Sequence, residues 1–248
     1  MGIVNVTPDS FSDGGKHMTD ATAYALSLID DGADMLDLGA QSTRPGYTEI
    51  PPSEEIARLS GVLAPLRSQT AVPLSVDTYF PEVAQYALRN GADIINDVSG
   101  RWNPAMAELI RESGAGWIIM HNGAGSVEEV KAFFVEMAEK CATFGIRKEQ
   151  ICFDMGIGFG KTYEENLALI AHIAEYKHPD YPLLLGTSRK RVIGTASGQD
   201  NPAERIYGNI AADTVAILGG ADIIRLHDVK HEKQGILTAS ALKGERDG

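Results

Sequence analysis

The chain has 248 residues, 44% of them hydrophobic, with 26 glycines and a formal charge of −12. That length suits one large α/β barrel or two ordinary domains, and the acidic balance, with no Lys/Arg cluster spanning a face, argues against nucleic acid as a partner. The longest apolar run falls far short of a membrane span, and no charged segment followed by an apolar stretch opens the chain, so a soluble, cytoplasmic protein is expected.

In chain order, Gly2 to Val6 reads as a strand. It is apolar from its first residue, and part of its amino-terminal half is expected outside this sequence. Thr7 to Lys16 is a polar glycine loop, and Thr19 to Asp31 a helix with Ala23, Leu26 and Ile29 on one face. Asp34 to Leu38 is the second strand, and Gly39 to Pro52 a long loop. Ser53 is expected to cap a helix reaching Arg67, with Glu55 in its first turn. Val72 to Val76 is the third strand, running into Asp77. Pro81 opens the next helix at a permitted first-turn position, and Gly91 ends it.

The second half keeps the rhythm. Asp93 to Ile95 ends in Asn96-Asp97 and is followed by a helix from Pro104 to Glu112. Gly116 to Met120 ends in His121, and Val127 to Phe144 is the longest helix. Ile151 to Phe153 ends in Asp154, and a glycine-rich turn, Met155 to Thr162, leads into a helix from Glu164 to Tyr176. Pro182 to Leu185 ends in Gly186-Thr187-Ser188-Arg189. Pro202 to Leu218 is helical, Asp222 to Ile224 ends in Arg225-Leu226-His227, and a last helix starts near Val229. Cys141 and Cys152 have neither zinc-site nor redox-pair spacing. Gly32, Gly91 and Gly220 each precede Ala-Asp and a new strand, as left-handed helix caps do. Eight β–α alternations without a linker predict one domain, residues 1–248, folded as a (β/α)₈ TIM barrel, with an open doubly wound sheet as the alternative that explains the polar strand ends less well.

On such a barrel the strand tips share one mouth: Asn5, the Gly39 loop, Asp77, Asn96, His121, Asp154, Ser188 to Lys190, and Arg225 with His227. The residues sort by chemistry. Asp77, Asn96 and Asp154 suit the edge of an amide- and amine-bearing ring. Arg44, Arg225, His227 and Ser188 suit phosphate oxygens. Asn5 could offer an oxygen to magnesium, and Lys190 could serve either group. Arg225 and His227 lie two apart on a strand end and so share a face. A displacement with a pyrophosphate-like leaving group fits these two halves. Blander roles stay open: Asp77, Asp97 and Asp154 as helix caps, Asn96 and His121 as turn formers, Phe159 as core.

The chain resembles the dihydropteroate synthase family over essentially its whole length. The stretches that carry the resemblance are Asn5 to Gly15, Ser42-Thr43-Arg44-Pro45-Gly46 and Asp154 to Thr162. Blocks around Asp77, Asn96, Gly186 to Lys190 and Arg225 to Lys230 match as well. The resemblance implies a (β/α)₈ barrel, a homodimer and a need for Mg²⁺. It implies condensation of 6-hydroxymethyl-7,8-dihydropterin diphosphate with 4-aminobenzoate, with release of pyrophosphate. It assigns Asp77, Asn96, Asp154 and Lys190 to the pterin, and Arg44, Arg225 and His227 to the diphosphate. Asn5 falls to the metal, and Thr43, Phe159, Ser188 and Lys190 to the aminobenzoate. Asp77, Asp154, Lys190 and Arg225 carry the catalysis, the two carboxylates favouring a cationic pterin methylene. The first two βα loops are expected to close over the site. This chain departs from the family at Gln41, where glutamate is common, and at Met155, where proline is usual. The fifth tip also reads Met-His-Asn-Gly. Two alternatives share the pterin half: a pterin-binding protein without synthase activity, and a methyltetrahydrofolate methyltransferase on a similar barrel.

Overall fold

A computed structural model of the chain describes residues 1–6, 17–41 and 48–247. Its centre is one sheet of eight parallel strands in sequential order. They are β1 (Gly2–Asn5), β2 (Leu36–Gly39), β3 (Leu74–Asp77), β4 (Ile94–Asp97), β5 (Gly116–Met120), β6 (Ile151–Asp154), β7 (Leu183–Leu185) and β8 (Ile223–Ile224). β8 is short, but the backbone beyond it closes the ring. Ile3 N–H donates to Leu226 O at 3.0 Å, and Leu226 N–H to Met1 O at 3.0 Å. The strands read as apolar runs because a parallel barrel strand is covered on both faces.

The helices are α1 (His17–Asp30), α2 (Pro52–Ser60), α3 (Leu63–Arg67), α4 (Pro81–Arg89), α5 (Pro104–Ser113), α6 (Val127–Phe144), α7 (Tyr163–Ala171), α8 (Ile173–Tyr176), α9 (Arg191–Ser197), α10 (Ile206–Gly219) and α11 (Val229–Asp247). Local chemistry sets most of their ends. Ser126 and Glu129 form a reciprocal capping box on α6, which stops at the left-handed Gly145. The expected left-handed turns at Gly32, Gly91 and Gly220 have φ of 103°, 101° and 113°, a region open to glycine at little cost.

Several boundaries depart from the sequence reading. Ser53 does not cap α2; Pro52 takes the first turn, behind Pro51. The expected continuous helix to Arg67 breaks at Gly61-Val62, since a helix through Pro65 would drive its ring into the Gly61 carbonyl. The helix expected over 164–176 splits at His172. Seven-residue α9 was not expected, because Gly194 disguises it. An added Cβ there would lie 2.5 Å from the Arg205 guanidinium, which would have to shift.

Two apolar layers result. The larger lies between strands and helices and includes Leu36, Leu38, Val76, Phe134, Phe153 and Tyr176. The smaller includes Met1, Ile118, Cys152 and Leu184, flanked by Met35, Ile94 and Ile223. Alternation along the strands assigns the second group to the lumen. The lumen is therefore apolar low down and polar at the carboxyl ends of the strands.

Candidate functional site

Strand register assembles the first half of the site. Asn5 pairs with Gly39, Gly39 with Asp77, and Asp77 with Asn96, so four neighbouring strands reach one level. One layer lower, Asp37 stands beside Ser75. Asp37 is fully buried and collects three donors. Ser75 Oγ donates to its Oδ1 at 2.6 Å, while Asn96 Nδ2 at 3.1 Å and Arg225 Nε at 2.7 Å donate to its Oδ2. Arg225 Nη2 also donates to Asp77 Oδ2 at 3.2 Å. One guanidinium thus spans two carboxylates from adjacent strands, in the fork geometry that lysine cannot supply. What remains is two buried acceptors with no hydrogen-bond partner, Asp77 Oδ1 and Asn96 Oδ1. An unpaired buried acceptor is costly unless a ligand completes it.

The second half is built on β6. Asp154 is 7% exposed, and its Oδ1 accepts from Gly156 N–H at 2.7 Å. It does not cap a helix; Thr162 caps α7 in a box with Glu165. Gly156 has φ of 68° and lies so close to β5 that an added Cβ would sit 1.9 Å from His121 O. Lys161 holds this turn shut, its Nζ donating to His121 O (3.2 Å), Gly156 O (3.0 Å) and Phe159 O (3.4 Å). Lys190 Nζ donates to Ile157 O and lies 5.0 Å from the Phe159 ring centroid, a cation–π distance. Phe159 is half-buried, so it borders the loop rather than filling the core.

The third group sits in the loops just beyond β7 and β8. Ser188 Oγ lies 3.1 Å from His227 Nδ1 and accepts from His227 N–H at 3.1 Å. Between Ser188 and Lys190, Arg189 adopts φ of 62°, a conformation that non-glycine residues seldom hold and that concentrates at functional turns. Asn5 is half-buried at the end of β1. Thr43 and Arg44 lie outside the described residues. Asp97 does not cap α5 as one reading allowed; Asn103 does, and Asp97 Oδ1 instead accepts from Ser99 N–H at 2.9 Å. His121 packs edge-on against Phe133 of α6, centroids 5.1 Å apart, and burial lowers its pKa to about 4. It is a neutral, packed ring on the helix side of β5.

Burial dominates the electrostatics. It raises the Asp77 carboxyl, with Asp37 adding to the rise and Arg225 opposing it. It raises the Asp154 carboxyl too, against Lys190. Lys190 and Lys161 are both lowered to about 8 by burial, with Asp154 opposing. Burial disfavours the Arg225 charge, yet Asp37 and Asp77 outweigh it and hold the guanidinium charged. The mouth therefore balances buried acids against buried bases, and a charge developing there is felt strongly. A cavity of about 540 Å³ lies at the opposite, amino-terminal end, beside Met1, Asp34 and Lys233, away from this chemistry.

Sequence reading missed Asp37, Ser75 and Lys161. The signal for the first was present: an ionisable residue between two leucines of a strand buried on both faces needs a partner.

A family model described as pterin binding enzyme matches residues 1–227. Dihydropteroate synthase of Escherichia coli is 39% identical, covering 100% of this chain and 92% of that protein. The Synechocystis enzyme of the same name is 39% identical over 98% of this chain and 89% of its own length. Among solved structures, the Clostridium difficile dihydropteroate synthase determined with pteroic acid superposes with a TM-score of 0.93 at 41% identity, covering 98% and 95% of the two chains. The Xanthomonas albilineans enzyme in complex with 7,8-dihydropteroate gives 0.90 at 39% identity, covering 98% and 92%. Matched by the family model over residues 1–227 and by these relatives over nearly its whole length, the chain belongs to the pterin-binding enzyme family.

Proposed function

We infer that this protein is a dihydropteroate synthase, a transferase joining 6-hydroxymethyl-7,8-dihydropterin diphosphate to 4-aminobenzoate with loss of pyrophosphate. The observation that carries the reading is the pair of buried, partnerless acceptors, Asp77 Oδ1 and Asn96 Oδ1, at the same barrel mouth as the buried Asp154. A pterin edge supplies N–H donors to such acceptors. In the reaction the bond between the pterin methylene and its oxygen breaks, and pyrophosphate takes the electron pair. The amine nitrogen of aminobenzoate then bonds to the methylene and gives up a proton to water. Asp77 and Asp154 stabilise the positive charge that grows on the methylene. Phe159, Ser188 and Lys190 flank the aromatic amine, and His227 with Arg225 and Arg44 receives the leaving diphosphate.

Mg²⁺ fits this site as a partner of the diphosphate. Asn5 offers an oxygen donor, and no cluster of three His, Cys, Asp or Glu ligands occurs among the described residues. Water and substrate phosphates would supply its remaining ligands, as this ion prefers; when bound, it neutralises the leaving charge. A homodimer is part of the same reading. Tyr207 (86% exposed) and Val215 (47%) on α10, with Leu237 (58%) and Leu242 (56%) on α11, leave large apolar side chains in solvent, which single chains tend to avoid when such groups cluster. No helix among the described residues is long and apolar enough to cross a membrane, and we place the protein in the cytoplasm. Incubating the protein with pterin diphosphate, 4-aminobenzoate and Mg²⁺ should yield dihydropteroate and one equivalent of pyrophosphate. Pterin binding without product would favour a binding protein instead.

A further inference from the structure

We propose that Asp37 is the positioning residue of the pterin half, fixing both which atom of Asn96 faces the ligand and where the Arg225 guanidinium stands. The proposal rests on the functional reading above. Asp37 is fully buried in mid-β2, one layer below the level of Asp77 and Asn96, so it lies under the acceptors that meet the substrate. Its role is to hold other groups.

Two geometric facts support this. First, the terminal amide of Asn96 can present oxygen or NH₂ to the lumen, and the two orientations are alike in shape. Asp37 Oδ2 accepts only, so the Asn96 Nδ2 at 3.1 Å must be the donor. The amide oxygen is thereby left as the buried, unpaired atom. Asp37 thus makes Asn96 an acceptor. Second, Asp37 Oδ2 takes Arg225 Nε at 2.7 Å, which turns Nη2 toward Asp77 Oδ2 at 3.2 Å. That contact leaves Asp77 Oδ1 as its unpaired oxygen. The two free acceptors are therefore set by one carboxylate that has neither position itself. Ser75 Oγ, at 2.6 Å from Asp37 Oδ1, fixes the carboxylate in turn.

Asp37→Asn keeps the volume and removes the charge. Its own amide can then offer NH₂ to Asn96, which frees the Asn96 amide to turn over and places a donor against the pterin N–H groups. We expect affinity for a pterin lacking phosphates, measured by titration calorimetry, to fall on the order of 10- to 100-fold. The KM for aminobenzoate should stay close to wild type. In a double-mutant cycle the loss should be strongly non-additive with Asn96→Ala, because in that background no amide is left to orient. A merely structural role predicts a lower melting temperature with unchanged affinity per folded molecule, and additive effects in the cycle; either result overturns the proposal. Should Asp37→Asn not fold, Ser75→Ala tests the same linkage more gently: a several-fold loss of pterin affinity supports it, and none overturns it. Wild-type protein that binds no pterin would overturn the functional reading together with this inference. Wild type binding and Asp37→Asn binding equally well would overturn the inference alone.

Discussion

Asp154 and Arg225 show how much one side chain can hold in this mouth. Asp154 spends one oxygen on Gly156 N–H, which fixes the carboxylate plane for the ligand. Asp154→Asn keeps the shape but turns a charged acceptor into a donor. The expected loss is about 2–4 kcal/mol of pterin binding, roughly 30- to 1,000-fold, read by titration calorimetry; unchanged affinity would remove Asp154 from the pterin contacts. Arg225 shares a strand end with His227, and on that spacing alone it belongs with the anion half. Its guanidinium in fact bonds Asp37 and Asp77, so it ties the two halves together. Arg225→Ala strands two buried carboxylates, the costly way to break a buried pair. It should therefore weaken bare pterin as well as the diphosphate, by at least about tenfold each. Selective loss of the diphosphate alone would show that the carboxylates do not depend on it.

At the scale of elements, two devices hold the loops that border the site. Gln41 lies just past β2. Its Oε1 accepts Ile50 N–H at 2.7 Å, its Nε2 donates to Tyr79 Oη at 2.9 Å, and Tyr79 Oη donates to Glu49 Oε2 at 2.6 Å. Residues 41 and 50 bracket the segment that carries Thr43 and Arg44. The amide is well suited here, because it donates and accepts at once where a family-type glutamate would only accept. Gln41→Ala should cost about 1–2 kcal/mol in chemical denaturation, and Gln41→Glu should lose the Tyr79 bond and lie between the two. The second device is Lys161, one ammonium for three backbone carbonyls. Lys161→Met keeps the stem and removes the donors. It should lower stability by about 1–3 kcal/mol and weaken pterin binding through the loosened Asp154 turn. A variant that melts like wild type would show that the glycine turn holds itself.

Over the whole molecule, the joint between α10 and α11 makes stability depend on pH. Asp213 and Glu232 are each nearly fully buried there. Asp213 Oδ1 accepts from Thr187 Oγ1 at 2.9 Å, and the Glu232 carboxyl lies against Asp213 and Asn209. Two adjacent buried carboxyls of this kind share a proton. Burial raises Asp213 to about 6, against hydrogen bonds from Thr187 and Glu232 that lower it, and raises Glu232 to about 8, with the Asp213 carboxylate adding to that rise. Since the folded values exceed the unfolded ones, the folded state binds more protons between about pH 4 and 8, and stability falls as pH rises through that window. Glu232→Gln should flatten this slope and gain at least about 1 kcal/mol at pH 8, measured by denaturation at pH 5 and pH 8. Equal slopes in variant and wild type would show that the pair is ionised throughout.

Repetition and local chemistry made most of the architecture readable from the chain. Gly32, Gly91 and Gly220 marked the turns, Pro81 opened its helix, and the polar residues after each apolar run marked the mouth, because backbone sterics and capping act over a few residues. The identities of Asp77, Asn96 and Asp154 as site candidates were legible for the same reason, each standing at a strand tip, and Lys190 in the loop that follows one. Short α9 was not legible, since its Gly194 answers to a contact with Arg205; the break before Leu63 was written in Pro65 and passed over. Asp37 is the clearest case of what only tertiary structure decided. In sequence it is one acid between two leucines, separated by 188 residues from Arg225. Only barrel closure and strand register place Ser75, Asn96 and Arg225 around it, and the meeting of residues distant in the chain is set by the whole packed fold and not by any local preference.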